Sequence, residues 1–485
     1  MLSKSQYLKY LQCPKAFWLY RKDKSKLTPP SPLQQQIFDT GTEVGEVAWG
    51  LFPGGRLIPF NITNIPGMAR QTRTAITNST DTIYEASFIV DKLFVAVDIL
   101  HREEDSWHLY EVKSSTGVKD TYIDDAAVQC YVLEKSGIKL TSMNIVHINN
   151  RYVLDGELDL KQLFSILDVT DEARLRVAEI PLRIDEMKSI LAGPEPHRPI
   201  GPHCLSPYEC DAKDYCWKTL AGVPENSVFT LTTANPERKF DLYKSGIANI
   251  ADVPPEDCTM AQQLQIQGEL HIEPDPIREF VRDLVYPITH LDFESFQSAV
   301  PQYQGTQAYT QIPFQYSLHI EENPGNLLHK EFLGPIGTDP RRELAEQLLA
   351  DIPEEGTILT YNQKFEKSII GKLAKAFPDL KTPLLALNER VRDLMLPFQK
   401  RWYYHPAQNG SYSIKKVLPA LVPEMDEAYK NLPGVNNGGE ASSTWSALPR
   451  NADPNQVEQI RSELLAYCRL DTHAMVKILD VLRQV

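Results

Sequence analysis

Four cysteines constrain this chain more than any other residues in it. Cys13 stands in "LQCPKAF", and far downstream come Cys204, Cys210 and Cys216 in "GPHCLSPYECDAKDYCW", a C-x5-C-x5-C spacing. Four thiolates complete the donor set of a tetrahedral Zn²⁺ or of a [4Fe–4S] cluster. A shared ion would clip Cys13 to the later segment, so everything between would have to fold as one closed unit, and loss of the ion would unfold it. Taken singly, each of the four reads equally well as a buried thiol. Cys130, Cys258 and Cys468 stand alone and read as small buried hydrophobes. Seven cysteines, an odd number spread unevenly, do not resemble a secreted disulfide framework.

At 485 residues the chain is too long for one ordinary core, and two or three domains are expected. No run approaches the ~18 apolar residues of a membrane span. The opening "MLSKSQYLKYLQCPKAFWLY" places aromatics and Gln where a signal peptide has its apolar stretch, and reads as an amphipathic helix of a cytoplasmic protein. The net charge of −14 argues against a uniformly basic surface but leaves room for a local basic groove on an acidic body. No GxxxxGK[ST] phosphate loop is present, so an ATP-driven motor is not encoded.

The pattern divides the chain into residues 1–224, of mixed helix and strand, a polar Pro-containing helical linker at 225–282, and a strand-rich domain at 283–485. The fold class expected is α/β. Within the linker "FDLYKSGIANIADVP" reads as helix, Gly-Ile turn and helix start. That is similar to a helix-hairpin-helix, which holds a DNA backbone through main-chain amides. The stretch 431–445, "NLPGVNNGGEASSTW", reads as a flexible lid or a disordered surface loop.

Two sets of acids carry chemistry. In the first part, "FVAVDIL" and "WHLYEVKSS" are strand-like runs joined by a polar turn. Asp98 lies in the first, while Glu111 and Lys113 share one face of the second. Two acids beside a lysine form a hydrolytic set: the acids hold Mg²⁺ or Mn²⁺ and the lysine steadies a nucleophilic water or developing charge on phosphate. The helix "DDAAVQCYVLEKSG" follows and is expected to present Gln129 and Tyr131, or their neighbours, to the same site. In the last part, "THLDFESF" is a strand with Asp292 and Glu294 on one face. Glu366 falls near the start of the helix in "TILTYNQKFEKSII", and "SELLAYCRLDTHAM" sets Tyr467 one helical turn before Asp471. Four carboxylates from three elements suit two Mg²⁺ or Mn²⁺ ions, with Tyr467 placed to orient an attacking water.

These motifs resemble two nuclease families. Asp98, Glu111-Val-Lys113 and the Gln129/Tyr131 helix resemble the RecB-like PD-(D/E)XK nucleases. The placement of Cys13 before that core and three cysteines after it is similar to their iron–sulfur staple. The resemblance favours [4Fe–4S] over Zn²⁺, although the x5-x5 spacing departs from the family's usual x2-x5. Where relatives carry Gly-x-x-x-His, "TGTEVGEVA" has Gly45 in the His position, with Glu46 and Glu85 as candidate replacements. Asp292-Phe-Glu294, Asn362-x-x-Phe365-Glu366 and Tyr467-x-x-x-Asp471 resemble the DnaQ-like (DEDD) 3′–5′ exonucleases of RNase H-like fold, in the tyrosine subgroup, with Glu366 where Asp is usual. Asp393 reads as structural, and "GSYSIKKVLPALVP" as a substrate-flanking helix. The combination implies a two-headed metal-dependent nuclease acting on DNA ends or single strands in repair, CRISPR-linked processing or phage defence. RNA processing, or a nucleic-acid-binding scaffold with only the C-terminal head active, are the rival readings.

Overall fold

The computed structural model describes residues 1–448 and 453–485. The protein is mixed α/β, and the chain forms two compact units: Met1–Val223 with Ser298–Thr310, and Pro224–Gln297 with Gln311–Val485. Two expected boundaries therefore move. Residues 225–282 are part of the second unit rather than a linker, and the excursion 298–310 joins the first. No helix among the described residues is long and apolar enough to cross a membrane.

The first unit is built on a seven-stranded sheet. Strands β1 (Thr82–Val90), β2 (Leu93–Glu103) and β3 (Ser106–Lys113) form an antiparallel meander. β4 (Leu140–Ile148) runs parallel to β3, and β5 (Phe164–Asp168) closes that edge antiparallel. Two short strands complete the sheet, Leu2–Ser3 beside β2 and Arg56–Leu57 beside β1. Helices α1 (Lys4–Gln12) and α2 (Pro14–Lys22) meet at Cys13. Ser3 caps the first by accepting the Gln6 N–H, and Pro14 suits the first position of the second while barring continuation of the one before it. α3 (Pro32–Ala48) follows, and α4 (Asp120–Lys135) crosses from β3 to the parallel β4. Residues 125–133 of α4 are buried on every side, as a central crossover helix requires.

The excursion belongs to the first unit because Ala299 and Ala308 pack with Tyr84, Ile99, Val112 and Tyr152. Leu154 N–H donates to the Thr306 carbonyl at 2.9 Å, Gly305 N–H to the Leu154 carbonyl at 2.8 Å, and the Tyr309 hydroxyl to the Ser114 carbonyl.

In the second unit a five-stranded sheet has the order β8-β7-β6-β9-β10. These are β6 (Ile288–Phe296), β7 (Ile312–Asn323), β8 (Asn326–Leu333), β9 (Thr357–Thr360) and β10 (Val391–Asp393). β7 is antiparallel to both neighbours, while β9 is parallel to β6 and β10 to β9. Alternation along β6 sends Leu291 and Phe293 into an apolar cluster with Ile369, Ile370 and Leu373 of α5 (Gln363–Ala376). The residues between them, His290, Asp292 and Glu294, point to the opposite face. Three later helices are α6 (Pro423–Lys430), α7 (Gly438–Ala447) and the 29-residue α8 (Pro454–Leu482). α8 buries Leu464, Cys468, Thr472, Met475 and Leu479, the three-and-four spacing of one helical face.

Two local expectations change. After helix Pro236–Lys244 and Gly246 (φ +93°), the expected helix start is a 3₁₀ turn at Ile250–Asp252, and the next full helix begins only at Met260–Gln267. The segment is sewn into its unit by two buried glutamines. Gln262 Nε2 donates to the Thr232 carbonyl at 2.9 Å, and Gln265 Nε2 to Asn409 Oδ1 at 2.9 Å. The stretch 431–445 is no loop throughout: Asn437 caps α7 by accepting the Glu440 N–H, and Trp445 stacks on Phe314 with centroids 4.6 Å apart.

Candidate metal centres

In the second unit, one ligand oxygen from each of Asp292, Glu294 and Asp471 lies within 4.8 Å of the other two. β6 supplies the first pair and α8 the third. Burial, then the Asp471 charge, pushes the Asp292 carboxyl well above its ordinary value. Burial and the Asp292 charge do the same to Glu294. Asp471 is pushed by burial up to about 6, although the Tyr429 and Tyr467 hydroxyls both donate to it, the former at 2.5 Å. Tyr467 stands where the spacing predicts, and burial beside Asp471 and Glu294 raises its phenol. Lys415, on the helix Ile414–Leu421, is the cation that opposes these shifts.

Glu366 stands beside this triad and not within its 4.8 Å span. It is buried in the first turn of α5, its Oε2 has no hydrogen-bond partner, and burial followed by the Asp292 charge raises it well above normal. Asp393 is structural, as expected. It accepts the N–H groups of Asn362 at 3.0 Å and Gln363 at 3.2 Å, holding Asn362 in the left-handed conformation (φ +73°) that starts α5. Tyr429 and Lys415 were not legible, because neither shares a strand or helix with an acid of the set. An acid triad that raises its own proton affinity, next to an orphaned buried carboxylate oxygen, has the donor chemistry of a hard divalent cation site.

The first unit brings a second set together. Glu111 accepts from Lys113 at 2.6 Å, Lys4 at 2.8 Å and Gln129 at 2.7 Å. Asp125, on α4 one turn before Gln129, accepts from Lys113 at 2.8 Å and Gln129 at 2.9 Å and pairs with Lys4 at 3.2 Å. Asp98 accepts the Val112 N–H at 2.7 Å. Burial raises Asp98, Glu85 and, to about 7, Glu111. Burial also acts on Asp125, but Lys113 and Lys4 outweigh it and hold that carboxyl well below the usual range. Four acids thus gather around two lysines, carboxylate oxygens being the donors that a hard divalent cation takes.

Tyr131 is not part of this site. Its hydroxyl donates to Asp91 at 3.0 Å, because two residues on from Gln129 the helix has turned more than half a circle. Glu46 is exposed on α3 and a side chain at Gly45 would meet nothing within 4 Å. Glu85 stays near the acids in a left-handed backbone (φ +56°), the kind of strain that recurs at functional sites. Asp125 was missed although its spacing to Gln129 puts both on one helix face. Lys4 had no local signal.

The four cysteines also converge. Cys13 packs with Cys210, Cys216, Leu19 and Ala212, and its charge acts on Cys210 and Cys216, as that of Cys204 acts on Cys13 and Cys216. All seven cysteines are free thiols. The main-chain N–H groups of Ala16 and Lys15 at the start of α2 favour the Cys13 thiolate, and that of Ala212 favours the Cys210 thiolate. Burial nevertheless raises Cys13, and pushes Cys210 to about 12 and Cys216 to about 11. Gathered thiols are the donor type of a metal-held thiolate centre, although the only set of ligand atoms within 4.8 Å of one another among the described residues is Asp292, Glu294 and Asp471.

Residues 289–413 match a family model described as a domain of unknown function, DUF2779. The match contains Asp292, Glu294 and Glu366 and stops before Tyr467 and Asp471. An uncharacterized protein of Ureaplasma parvum is 25% identical over 209 residues, covering 39% of this chain. A homologous uncharacterized protein of Mycoplasma pneumoniae is 26% identical over 208 residues, again 39% of the chain. The aligned part is 30% and 31% of those proteins' own lengths, so the likeness concerns under a third of each.

Proposed function

We propose that this chain is a metal-dependent nuclease with two acid sites, acting on DNA ends or single strands. The observation that carries the reading is the meeting of Asp292, Glu294 and Asp471, far apart in sequence, within 4.8 Å. The mixed five-stranded sheet with β7 antiparallel to both its neighbours, and Tyr467 one turn before Asp471, support the DnaQ-like assignment of that unit. The β2–β3 hairpin carrying Asp98, Glu111 and Lys113 with Gln129 above it supports the RecB-like assignment of the other.

Divalent cations, Mg²⁺ or Mn²⁺, would supply Lewis acidity and an ionised water at both sites. Asp292, Glu294 and Asp471 would hold them in one unit, with Glu366 beside; Asp98 and Glu111 would in the other. Tyr429 and Tyr467 both donate to Asp471 and fix its carboxylate, and the Tyr467 oxygen would be placed to orient an attacking water. Lys113, 2.6 Å from Glu111, would steady the charge that develops on phosphate. Cys13, Cys204, Cys210 and Cys216 would hold a [4Fe–4S] cluster, a structural staple that ties the start of the chain to residues 204–216.

The test is cleavage of 5′- and 3′-end-labelled single- and double-stranded DNA and RNA with Mn²⁺ or Mg²⁺, comparing wild type, Lys113→Ala, Asp292→Ala and the double variant, each checked for folding. Loss of a distinct product pattern in each single variant and an inert double variant is expected. Absence of cleavage by wild type in every condition would refute the reading.

A further inference from the structure

The acid site of the first unit contains one lysine more than its motif supplies. Lys4 and Lys113 each contact both Glu111 and Asp125, so two ammonium groups and two carboxylates alternate around a square with sides of 2.6 to 3.2 Å. The carboxylates are 2% and 3% exposed, whereas both lysine side chains are 20% exposed. Of the four side chains in the square, the two lysines are thus the ones that reach solvent, through part of their length.

Nothing in its own helix explains Lys4. It is the first residue of α1, and that helix has no acid in its first turn. A lysine there opposes the helix dipole, so the placement is unfavourable locally and is stabilised only by acids from β3 and α4. The other end of α1 is firmly held: Lys9 pairs with Asp211 at 2.6 Å, and Gln12 Nε2 donates to the carbonyls of His203 at 3.0 Å and Tyr208 at 2.7 Å. The helix is thus anchored at its C-terminal end and presents Lys4 to the acids at the other.

A divalent cation that took the charge of Glu111 would leave Asp125 as the one acid of the square still shared by both ammonium groups, with Asp98 and Glu85 further off. Lys113 is the nearer, at 2.8 Å against 3.2 Å for Lys4, and keeps that partner. We propose that Lys4 is then released to a phosphodiester of the bound nucleic acid, as a second substrate-contacting lysine of this site. The proposal rests on the nuclease reading above and adds to it the group that grips the backbone. Lysine–phosphate contacts of this kind are sequence-independent and release counterions.

The experiment uses the full chain and a fluorescently labelled single-stranded oligodeoxynucleotide, titrated by anisotropy in Ca²⁺ over a range of salt. Lys4→Met should weaken binding about 5- to 10-fold at low salt and reduce the slope of log affinity against log salt by about 0.7, the value for one contact to a single strand. Mn²⁺ binding by the first unit, measured by calorimetry in an Asp292→Asn background, should be kept or tightened, because a competitor for Glu111 has gone. Should Lys4→Met fail to fold, Lys4→Gln removes the charge with less loss of polar contact and is judged identically. Wild-type affinity and slope in the variant would overturn the proposal alone, making Lys4 a mere counter-ion. Joint loss of Mn²⁺ and oligonucleotide binding in a folded variant would also overturn it, assigning Lys4 to the metal shell. A wild type that binds no oligonucleotide refutes the nuclease reading itself, and this proposal with it.

Discussion

Replacing Asp471 by Asn should stabilise the metal-free protein at alkaline pH. Burial holds the Asp471 carboxyl at about 6 instead of the usual 3.8. The folded state thus keeps a proton that the unfolded chain has already released. Its contribution is complete below about pH 3.8 and is lost as pH rises through about 6. At about 1.4 kcal/mol per pH unit, ionising this group in the fold costs ~3 kcal/mol by pH 8. The amide in the Asp471→Asn variant avoids that cost but accepts poorly from one of the two phenols, Tyr429 and Tyr467, a loss of about 1 kcal/mol. The net gain of ~2 kcal/mol corresponds to about 4–8 °C for a domain of this size. Thermal unfolding followed by circular dichroism, with chelator, should show Asp471→Asn melting higher at about pH 8 and the gap falling below about 1 kcal/mol at about pH 5. Mn²⁺ at ~100 times its dissociation constant should then add about 2.7 kcal/mol to wild type only, removing or reversing the order. A variant that melts below wild type at about pH 8 without metal, or a gap indifferent to pH, would refute the premise that the triad is a charge concentration awaiting a cation.

Tyr429→Phe removes the 2.5 Å donor to Asp471 and should reduce Mn²⁺ affinity or cleavage by the second unit about 10-fold, as losses around a metal ligand do; calorimetry and single-turnover cleavage check it. Cys210→Ser should cost the first unit its folded state and any visible absorbance together, whereas Cys130→Ser, away from the centre, should keep both. Gly356→Ala should destabilise the second unit by more than ~2 kcal/mol, read by chemical denaturation. Its φ is +91° and an added Cβ would lie 2.1 Å from the Pro287 carbonyl oxygen at the start of β6.

The acids were legible because each motif is local: Asp292 and Glu294 alternate on one strand, Glu111 and Lys113 on another, and Tyr467 precedes Asp471 by one turn. Their partners were less so, for reasons that differ. Gln129 and Asp125 share a helix face at a spacing of four, and Tyr131 falls off it, so angular bookkeeping alone separates them. Lys4, Lys415 and Tyr429 come from elements whose only relation to the acids is tertiary. Composition misled at 431–445, where Gly, Asn and Ser read as loop; Asn437 as a cap and Trp445 on Phe314 outweigh weak helix propensity. The thiol set was visible as four cysteines, but which elements pack around it, among them Leu19 and Ala212, was not. Polar spacing gave no hint that residues 298–310 desert their sequence neighbours, since what holds them is two small alanines in an apolar socket and hydrogen bonds made largely to main-chain carbonyls.

That excursion sets a timetable for biosynthesis. The first unit holds the amino-terminal residues, yet its socket around Tyr84, Ile99 and Val112 is filled by Ala299 and Ala308. A ribosome that has just made residue 223 has not yet supplied them. Vectorial folding therefore stalls with one apolar patch uncovered until β6 and the turn beyond it have left the exit tunnel. A fragment cut at the apparent boundary near 223 would retain the same uncovered patch permanently, and expressing the first unit in isolation calls for residues 298–310 to be grafted back.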